Sequence, residues 1–494
     1  MKLCYLPIDS RPCNALFPVQ LLGCAGIPCA VPGDGAADYF TRPSDFTAVK
    51  RFLTNAVGEA DTLILSVDKL VFGSLLASRE DGITAEEALA RLQWITELKQ
   101  QSPHLRIIAF SILMRSSIST LRTEDIACHH AVTVYSQARH RAAISGDPQD
   151  EKAAKEIGDG IPPKMLAKYL RVRERNHAVN LACVGFVREG VFDRLLLLQE
   201  DSQPLGLHRL EQQSLAREIG ASFAGRVTLH NGTDEAGCLC AALAAAKPLK
   251  LHVRALGNDS LDFIAQYEDR PFVENIRSHA QFAGIRLTSS LEEADKVLCV
   301  LMPGGAPQRD ILHPMAETDD ERARFAVLAR ELAGVMASGR PVGLLDVRYA
   351  NGGSPGFGEA LAGCVSPLSL AAYAGWNTAS NALGTVLAQL ALGEDAAKNR
   401  LFTAERLLDD LIYQGTVRGR LQEALIREGQ DPYHLADKPG AERLLVRYME
   451  EALLQTPVLD GYVMDAGYAL PWPRTFEAAV TVRSLTKKGG YSHG

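Results

Sequence analysis

Long apolar runs and basic clusters are both missing from this chain of 494 residues. No segment approaches the roughly 18 uncharged apolar residues that a membrane helix requires, so we expect no membrane partner. The 52 Lys and Arg are outnumbered by 59 Asp and Glu, which gives a formal net charge of −7. Because nucleic-acid binding needs basic patches that neutralise phosphates, the composition argues against a nucleic-acid partner.

Cysteine pairs at metal-binding spacing and an export signal are missing as well. The ten cysteines include no C-x-x-C pair, so we expect neither disulfides nor a zinc cluster. The N-terminus reaches Pro7, Asp9 and Arg11 before a signal-peptide apolar segment is complete. We therefore expect a cytoplasmic protein with reduced, buried cysteines. A Walker loop and an H-E-x-x-H helix are also missing, which removes support from those reaction classes.

Short apolar runs, each followed by a helix-like stretch, recur along the chain. This alternation is typical of an α/β fold with a mostly parallel sheet covered by helices. The runs are Lys2–Ile8, Gly26–Val31, Thr62–Val67, Arg106–Leu113, Arg194–Gln199, Arg226–His230, Lys250–Leu256, Lys296–Met302 and Pro341–Val347.

Two architectures fit these runs. The first eight suit a TIM-barrel-like (β/α)8 domain over residues 1–305, with a helical insertion at 116–192, and this is the interpretation that we favour. A further α/β unit at 306–360 and a C-terminal, mainly helical subdomain at 361–494 would follow it. The alternative is two Rossmann-like lobes that divide near residue 249.

Charged and amide side chains follow several of the predicted strands. Ligand sites of parallel α/β folds lie at the carboxyl ends of the strands. Carboxylates gathered there repel each other unless they bind cations or polar ligands or hold protons, so such a cluster indicates chemistry. The residues are Asp9, Arg11, Asp68, Arg115, Glu200, Asp201, Asn231, Asp234, Glu235, Asp346 and Asn351.

Four of these acids are candidates for catalysis. Glu200 and Asp201 follow an apolar strand, and we expect only one of them to face the pocket, because adjacent strand residues point to opposite faces. Asp234 and Glu235 follow the next strand. A glycosidase needs two carboxyl groups, one protonated and one ionised, and these two pairs could supply them. Structural explanations compete: an ion pair with an arginine for Asp9, and helix capping for Asp234 and Glu235.

Two later segments carry binding candidates. Arg270 could hold a carboxylate or phosphate with both prongs of its guanidinium, and a plain capping turn explains it equally well. Trp376 and Asn377 lie in Ala371–Gly384, where an aromatic ring beside amides suits sugar recognition. If this segment is helical, Asn377 and Asn381 share one face. Close packing of a helix rich in small residues is the competing explanation.

Five motifs, spread over almost the whole chain, carry a family resemblance. They are Pro7–Pro12, Gln199–Ser202, Tyr267–Pro271, Asp346 with Tyr349–Gly352, and Tyr373–Asn381. With these motifs the sequence resembles an uncharacterised bacterial family known as domain of unknown function 4127. The resemblance implies a full-length member of that family and implies no mechanism. Where the family pattern has two Asp after Gln, this chain has Glu200-Asp201.

Three functional hypotheses follow from these residues. The first is a hydrolase that cleaves a glycosidic bond in a small sugar derivative, with the four acids as proton donor and base. The second is a metal-dependent enzyme that uses the same acids as ligands, so no cofactor is required but a divalent metal stays open. The third is a non-catalytic sugar- or metabolite-binding protein. Each has a small molecule as its partner, and each leaves a homo-oligomer open.

Overall fold

All nine strands expected from the sequence are present in the computed structural model, which describes residues 1–223, 225–305, 307–314 and 318–488. Two of them, Arg106–Leu113 and Arg194–Gln199, begin and end at the predicted residues. The α/β class is thereby confirmed.

The chain divides into two units, which are named here by their position in the sequence. The N-terminal unit consists of Met1–Val19, Ile27–Cys240 and Tyr267–Arg270. The C-terminal unit consists of Gln20–Gly26, Ala241–Gln266 and Pro271–Gly494. Each has a hydrophobic core of its own, built on the buried side chains of its strands and helices.

The N-terminal unit is built on a six-stranded parallel sheet. Its strands are β1 (Leu3–Leu6), β2 (Cys29–Ala30), β3 (Thr62–Ser66), β4 (Arg106–Leu113), β5 (Arg194–Gln199) and β6 (Val227–Asn231). They lie in the order β2-β1-β3-β4-β5-β6. This is the flavodoxin-like doubly wound order, in which ligands bind at the carboxyl ends of the strands around the switch point between β1 and β3.

Helices connect these strands. In chain order they are α1 (Pro12–Ala15), α2 (Phe17–Cys24), α3 (Phe46–Ala56), α4 (Val67–Phe72), α5 (Ala85–Gln101), α6 (Asp125–Ser145), α7 (Pro148–Asp159), α8 (Pro163–Arg188) and α9 (Leu207–Ile219), and α10 (Ala236–Ala245) follows β6. Local sequence explains several starts: Asp45, Ser66 and Thr84 accept hydrogen bonds from the first turns of α3, α4 and α5. The segment 116–192 contains α6, α7 and α8.

The C-terminal unit repeats the same strand order. Its parallel sheet contains β7 (Leu249–Ala255), β8 (Ile285–Leu287), β9 (Lys296–Leu301), β11 (Val342–Asp346) and β13 (Ala372–Ala374). They lie in the order β13-β11-β9-β7-β8, so the unit's first strand again lies between its second and third. Short strands β10 (Arg309–Asp310) and β12 (Tyr349–Ala350) form a separate parallel pair, and β14 (Tyr462–Ala469) and β15 (Ala479–Lys487) form an antiparallel pair.

The last part of the chain is mainly helical, as the sequence predicts, up to the pair β14 and β15. The helices of this unit are α11 (Phe272–Phe282), α12 (Asp319–Met336), α13 (Pro355–Ala362), α14 (Ala379–Leu392), α15 (Ala396–Arg406), α16 (Arg418–Arg427) and α17 (Lys438–Gln455). Between α15 and α16 the helix continues as a π-helical segment, Leu407–Val417. Such segments are rare and are often found at functional sites.

The closed barrel that we favoured from the sequence is not confirmed, and the strands match the alternative of two Rossmann-like lobes. A (β/α)8 barrel requires every strand to pair with the next one in the chain. Here β1 lies between β2 and β3, and β7 lies between β8 and β9. Both sheets therefore grow outward from their first strand on two sides and end in edge strands. Among the described residues neither sheet is closed by hydrogen bonds.

No helix formed by the described residues combines the length and the apolar composition that crossing a membrane would need.

Candidate functional site

Ten of the predicted site residues follow strands of the N-terminal unit or lie in its segment Tyr267–Arg270. Because all six strands are parallel, their carboxyl ends lie along one edge, and the residues that follow them come together there. These residues are Asp9 and Arg11 after β1, Asp68 after β3, Arg115 after β4, Glu200 and Asp201 after β5, Asn231, Asp234 and Glu235 at the end of β6, and Arg270.

Arg11 lies between two of the acids. It donates to Asp9 at 2.8 Å and to both oxygens of Asp234, at 2.6 and 3.0 Å, and all three side chains are buried. Asn14 donates to the same two carboxylates at 3.0 and 3.2 Å. Burial raises the pKa of Asp9, but the charge of Arg11 and these hydrogen bonds outweigh it and lower the pKa overall. The ion pair that competed with a catalytic role for Asp9 is therefore present, and it includes Asp234.

Glu200 and Asp201 each bind a different arginine. Glu200 forms a buried ion pair with Arg79, and Asp201 pairs with Arg115 at 2.6 Å. The charge of Asp201 also acts on Arg79, and the charge of Glu200 also acts on Arg115. The four side chains therefore form one cluster of alternating charge, which is called the Glu200 cluster. We expected the alternation of side chains along the strand to point the two acids to opposite faces. Strand β5 ends at Gln199, however, before either acid, and Asp201 adopts a left-handed φ of 22°.

Two carboxyl groups in this area hold protons more tightly than usual. Burial raises the pKa of Glu200, against the opposing charges of Arg79 and Arg115. Burial also raises the pKa of Asp68, to about 7, with a further rise from the charge of Glu200. One oxygen of Asp68 accepts from the backbone N–H of Ile112 at 2.9 Å. Strongly shifted acids in a cluster at a strand edge are what acid–base chemistry requires.

Glu235 is shielded from water at the start of α10. Its Oε2 accepts from the backbone N–H of Thr233 at 2.8 Å, and the side chain is fully buried. Burial raises its pKa well above the usual range. This environment favours the protonated form of Glu235.

Ser116 holds the backbone of Asp201. Its N–H and its Oγ both lie 3.2 Å from the carbonyl oxygen of Asp201, and its Oγ is 3.3 Å from Nδ1 of His208. His208 Nε2 lies 2.9 Å from the carbonyl of Gln203 and 3.6 Å from Asp269. Burial lowers the pKa of His208 to about 3, so the ring is neutral. Since Ser116 binds the carbonyl of Asp201 and His208 in turn binds Ser116, we assign both residues to positioning Asp201.

Asn231 and Arg270 belong to a neighbouring network. Asn231 donates to Ser202 at 3.0 Å and to Asp269 at 3.1 Å. Arg270 donates to the carbonyl of Leu229 at 3.1 Å. Both side chains therefore fix the loops at the ends of β5 and β6.

Three charged residues of this edge were not among the site residues predicted from the sequence: Arg79, Asp38 and Lys69. Lys69 binds Asp38 at 2.6 Å, and both are buried. Arg79 lies in a short 3-10 turn, Ala77–Arg79, and Asp38 follows a similar turn, so neither stands directly after a strand. Lys69 does, next to Asp68, but it has the ordinary appearance of a surface lysine. Only the tertiary contacts identify these residues.

The acids proposed as metal ligands are mostly bound to basic side chains already. Asp9 and Asp234 bind Arg11, Glu200 binds Arg79, and Asp201 binds Arg115. A divalent cation at these carboxylates would lie beside the arginines and be repelled by their charge. The pattern therefore favours a site whose positive charges belong to the chain itself.

The remaining four predicted residues lie in the C-terminal unit and form a second group with Asp410. Asp346, at the end of β11, accepts from the backbone N–H groups of Arg348 and Ser354 at 3.1 and 2.7 Å. Burial raises its pKa to about 6. Asp410 accepts from the N–H groups of Gly375 and Trp376 at 2.9 and 3.2 Å.

The loop after β13 has a different form from the one we considered. Asn377 has a left-handed φ of 68°, and its carbonyl accepts from the N–H of Asn351, which has a φ of 65°. Helix α14 begins only at Ala379, after the cap Thr378. Asn377 and Asn381 therefore do not share a helical face, because capping by Thr378 places Asn377 outside the helix.

The residues Gly352–Gly356 have the spacing G-x-S-x-G, which sequence analysis overlooked. In an esterase this motif places the serine on a strained turn with its Oγ exposed. Here Ser354 is buried, has an ordinary φ of −87°, and caps α13. The serine is therefore structural.

Comparison with known proteins identifies one family. The model of the family described as "Protein of unknown function (DUF4127)" matches residues 3–481. No curated protein matches the chain.

Proposed function

The chain belongs to the DUF4127 family, whose description names no activity, and we propose from the site itself that it is a hydrolase acting on a glycosidic bond in a small sugar derivative. The observation that carries the proposal is the Glu200 cluster. It combines a buried acid with a raised pKa and a carboxylate paired with Arg115, at the edge where α/β enzymes bind ligands.

The two acids suit the two roles of a glycosidase. Glu200, which burial favours in its protonated form, would donate a proton to the glycosidic oxygen as the carbon–oxygen bond breaks. Asp201, which pairs with Arg115, would attack the sugar carbon or remove a proton from the attacking water. Asp68 adds a third group with a pKa of about 7 beside Glu200, which suits proton exchange near neutral pH.

The other two candidate acids, Asp234 and Glu235, are already bound by other groups of the chain. Asp234 is bound by Arg11 and Asn14, and Glu235 by the backbone of its own turn. We therefore assign the acid and the base to Glu200 and Asp201, and expect Asp234 and Glu235 to hold the site together.

The test is a turnover screen of the full chain against natural and chromogenic glycosides, with Glu200→Gln and Asp201→Asn variants. An acid catalyst is dispensable when the leaving group needs no proton. Glu200→Gln should therefore lose about 100-fold or more on alkyl glycosides but little on dinitrophenyl glycosides. Asp201→Asn should lose activity on both.

Three outcomes separate the alternatives. Activity that is abolished by a chelator would favour the metal-dependent enzyme. Binding of a sugar without any turnover would favour the non-catalytic binding protein. Equal loss on both kinds of glycoside in Glu200→Gln would remove Glu200 from the role of proton donor.

A further inference from the structure

The Glu200 cluster contains hydrogen-bonding atoms that the chain does not use. Among the described residues, Oε2 of Glu200, Nε of Arg79 and Nε of Arg115 are buried and have no hydrogen-bond partner. The side chains of Glu200 and Arg79 are each only 7% exposed. Leaving such atoms unpaired away from water is costly, so these three atoms point to a polar ligand.

The charge of the cluster changes when Glu200 acts as an acid. With both acids ionised, two positive and two negative charges balance. With Glu200 protonated, as the proposed function requires, Arg79 and Arg115 face only the charge of Asp201, and one positive charge is left over. Asp68, with its raised pKa, contributes little negative charge below about pH 7. An excess buried charge calls for a counterion.

We propose that the substrate carries an anionic group, a carboxylate or a phosphate, which binds Arg79 together with Arg115. This inference rests on the proposed function and names its substrate class, an acidic sugar or a sugar phosphate. The planar guanidinium presents paired donors that match both kinds of anion. The anion takes the place of Glu200 on Arg79, and Glu200 is left protonated for the leaving group.

Binding of the anion is coupled to protonation of Glu200. Four charged groups act on Glu200: Asp201, Asp234, Arg79 and Arg115. The charge of Glu200 in turn raises the pKa of Asp68. Arg11 acts on Arg79, and the charges of Arg79 and Arg115 both act on His129. A second negative charge beside Glu200 favours its neutral form. The complex therefore takes up a proton, and the affinity for the anion falls as the pH rises.

Isothermal titration calorimetry on the full chain tests this without any turnover. The probes are glucuronate and a glucose phosphate, with glucose as the neutral control, in two buffers of different ionisation enthalpy. We expect one or both anions to bind with proton uptake and glucose to bind at least about tenfold more weakly. The two anions distinguish a carboxylate from a phosphate. Equal binding of glucose, or anion binding without proton uptake, would overturn the proposal.

Variants locate the binding at the cluster. Glu200→Gln removes the competing charge while keeping the shape, so it should bind the anion about tenfold more tightly than the parent and without proton uptake. Arg79→Gln should bind the anion at least about tenfold more weakly than the parent, and the affinity of Arg79→Lys should lie between those of the parent and Arg79→Gln. The matched control is Arg171→Gln, in the exposed pair with Asp81, which should change nothing.

The result is independent of catalysis. Unchanged affinity in both Glu200→Gln and Arg79→Gln would overturn the anion site even if the chain cleaves neutral glycosides. Anion binding with the expected variant effects, but without any cleavage, would leave the anion site standing and remove the hydrolase.

Discussion

Arg11 binds both carboxylate oxygens of Asp234, at 3.0 and 2.6 Å, and so joins the segment after β1 to the turn after β6. The same guanidinium binds Asp9. Two acids that the sequence offered as candidates for chemistry thus share one arginine as their ion-pair partner. The consequence is a division of the strand edge into a structural ion triad and the Glu200 cluster.

The Arg11 triad should stabilise the N-terminal unit. Asp234→Ala leaves the buried Arg11 with one partner fewer, and loss of one member of a buried pair typically costs about 3–5 kcal/mol. Native-state hydrogen exchange on peptides of β1 and β6 measures the free energy of opening. The control Asp81→Ala removes an exposed pair with Arg171 and should cost less than about 1 kcal/mol. Equal effects of the two substitutions would show that the triad adds no stability.

Asp68 should make the stability of this unit depend on pH. Its pKa is raised to about 7 in the folded chain, so between about pH 4 and pH 7 the folded state keeps a proton that the unfolded state has lost. The contribution of Asp68 is therefore fully present below about pH 4 and falls as the pH rises through about 7, by up to roughly 4 kcal/mol.

Asp68→Asn, which mimics the protonated side chain, should remove this dependence. Compared with the parent, the variant should gain stability as the pH is raised from about 4 to about 8. Thermal unfolding across this range, with exchange on β3 peptides to identify the unit, measures the difference. A difference between variant and parent that stays constant with pH would contradict the raised pKa of Asp68.

The alternation of strands and helices was enough to predict the α/β fold. Apolar runs located nine of the eleven strands that the described residues form in the two parallel sheets, because strands buried on both faces, such as Leu195–Leu198, give continuous apolar runs. Strands β8 and β13 were missed. The runs could not give the order of the strands, since the position of β1 between β2 and β3 is decided by how helices pack on the sheet. The two-residue strands β10 and β12 and the half-exposed pair β14 and β15 have no such pattern.

The site could be predicted only as far as strand ends reveal it. Glu200 and Asp201 were found because they directly follow β5. Arg79 was missed because it lies in a 3-10 turn that does not directly follow a strand, although its side chain pairs with Glu200. The partners of an acid, which decide whether it is structural or available for chemistry, come from tertiary contacts alone.

The left-handed backbone at Asp201 should be measurable as strain. A φ of 22° is unfavourable for a residue with a side chain and easy for glycine. Asp201→Gly and Asp201→Ala both remove the carboxylate, so they differ mainly in backbone freedom. We expect the glycine variant to be more stable than the alanine variant by about 1 kcal/mol in denaturant unfolding. If alanine proves the more stable of the two, the positive φ is not a feature of Asp201 in solution.

Gly353 tests the packing of the second group of polar residues. A Cβ at this position would lie inside contact distance of the hydroxyl of Tyr373, 3.1 Å from Asp346 and 3.2 Å from Leu411. Because these neighbours are buried, Gly353→Ala should destabilise the C-terminal unit by about 1–3 kcal/mol. The control is Gly334→Ala in α12, where a Cβ meets nothing within 4 Å.

The two glycines should respond in opposite directions. Gly334→Ala removes a poor helix former from an open helix position and should stabilise α12 by up to about 1 kcal/mol. Gly353→Ala should in addition raise hydrogen exchange at Gly375 and Trp376, whose N–H groups bind Asp410, because the loop after β13 must shift. If both substitutions stabilised the unit, Gly353 would have room for a side chain, and the close approach of the Tyr373 hydroxyl to Gly353 would not exist in solution.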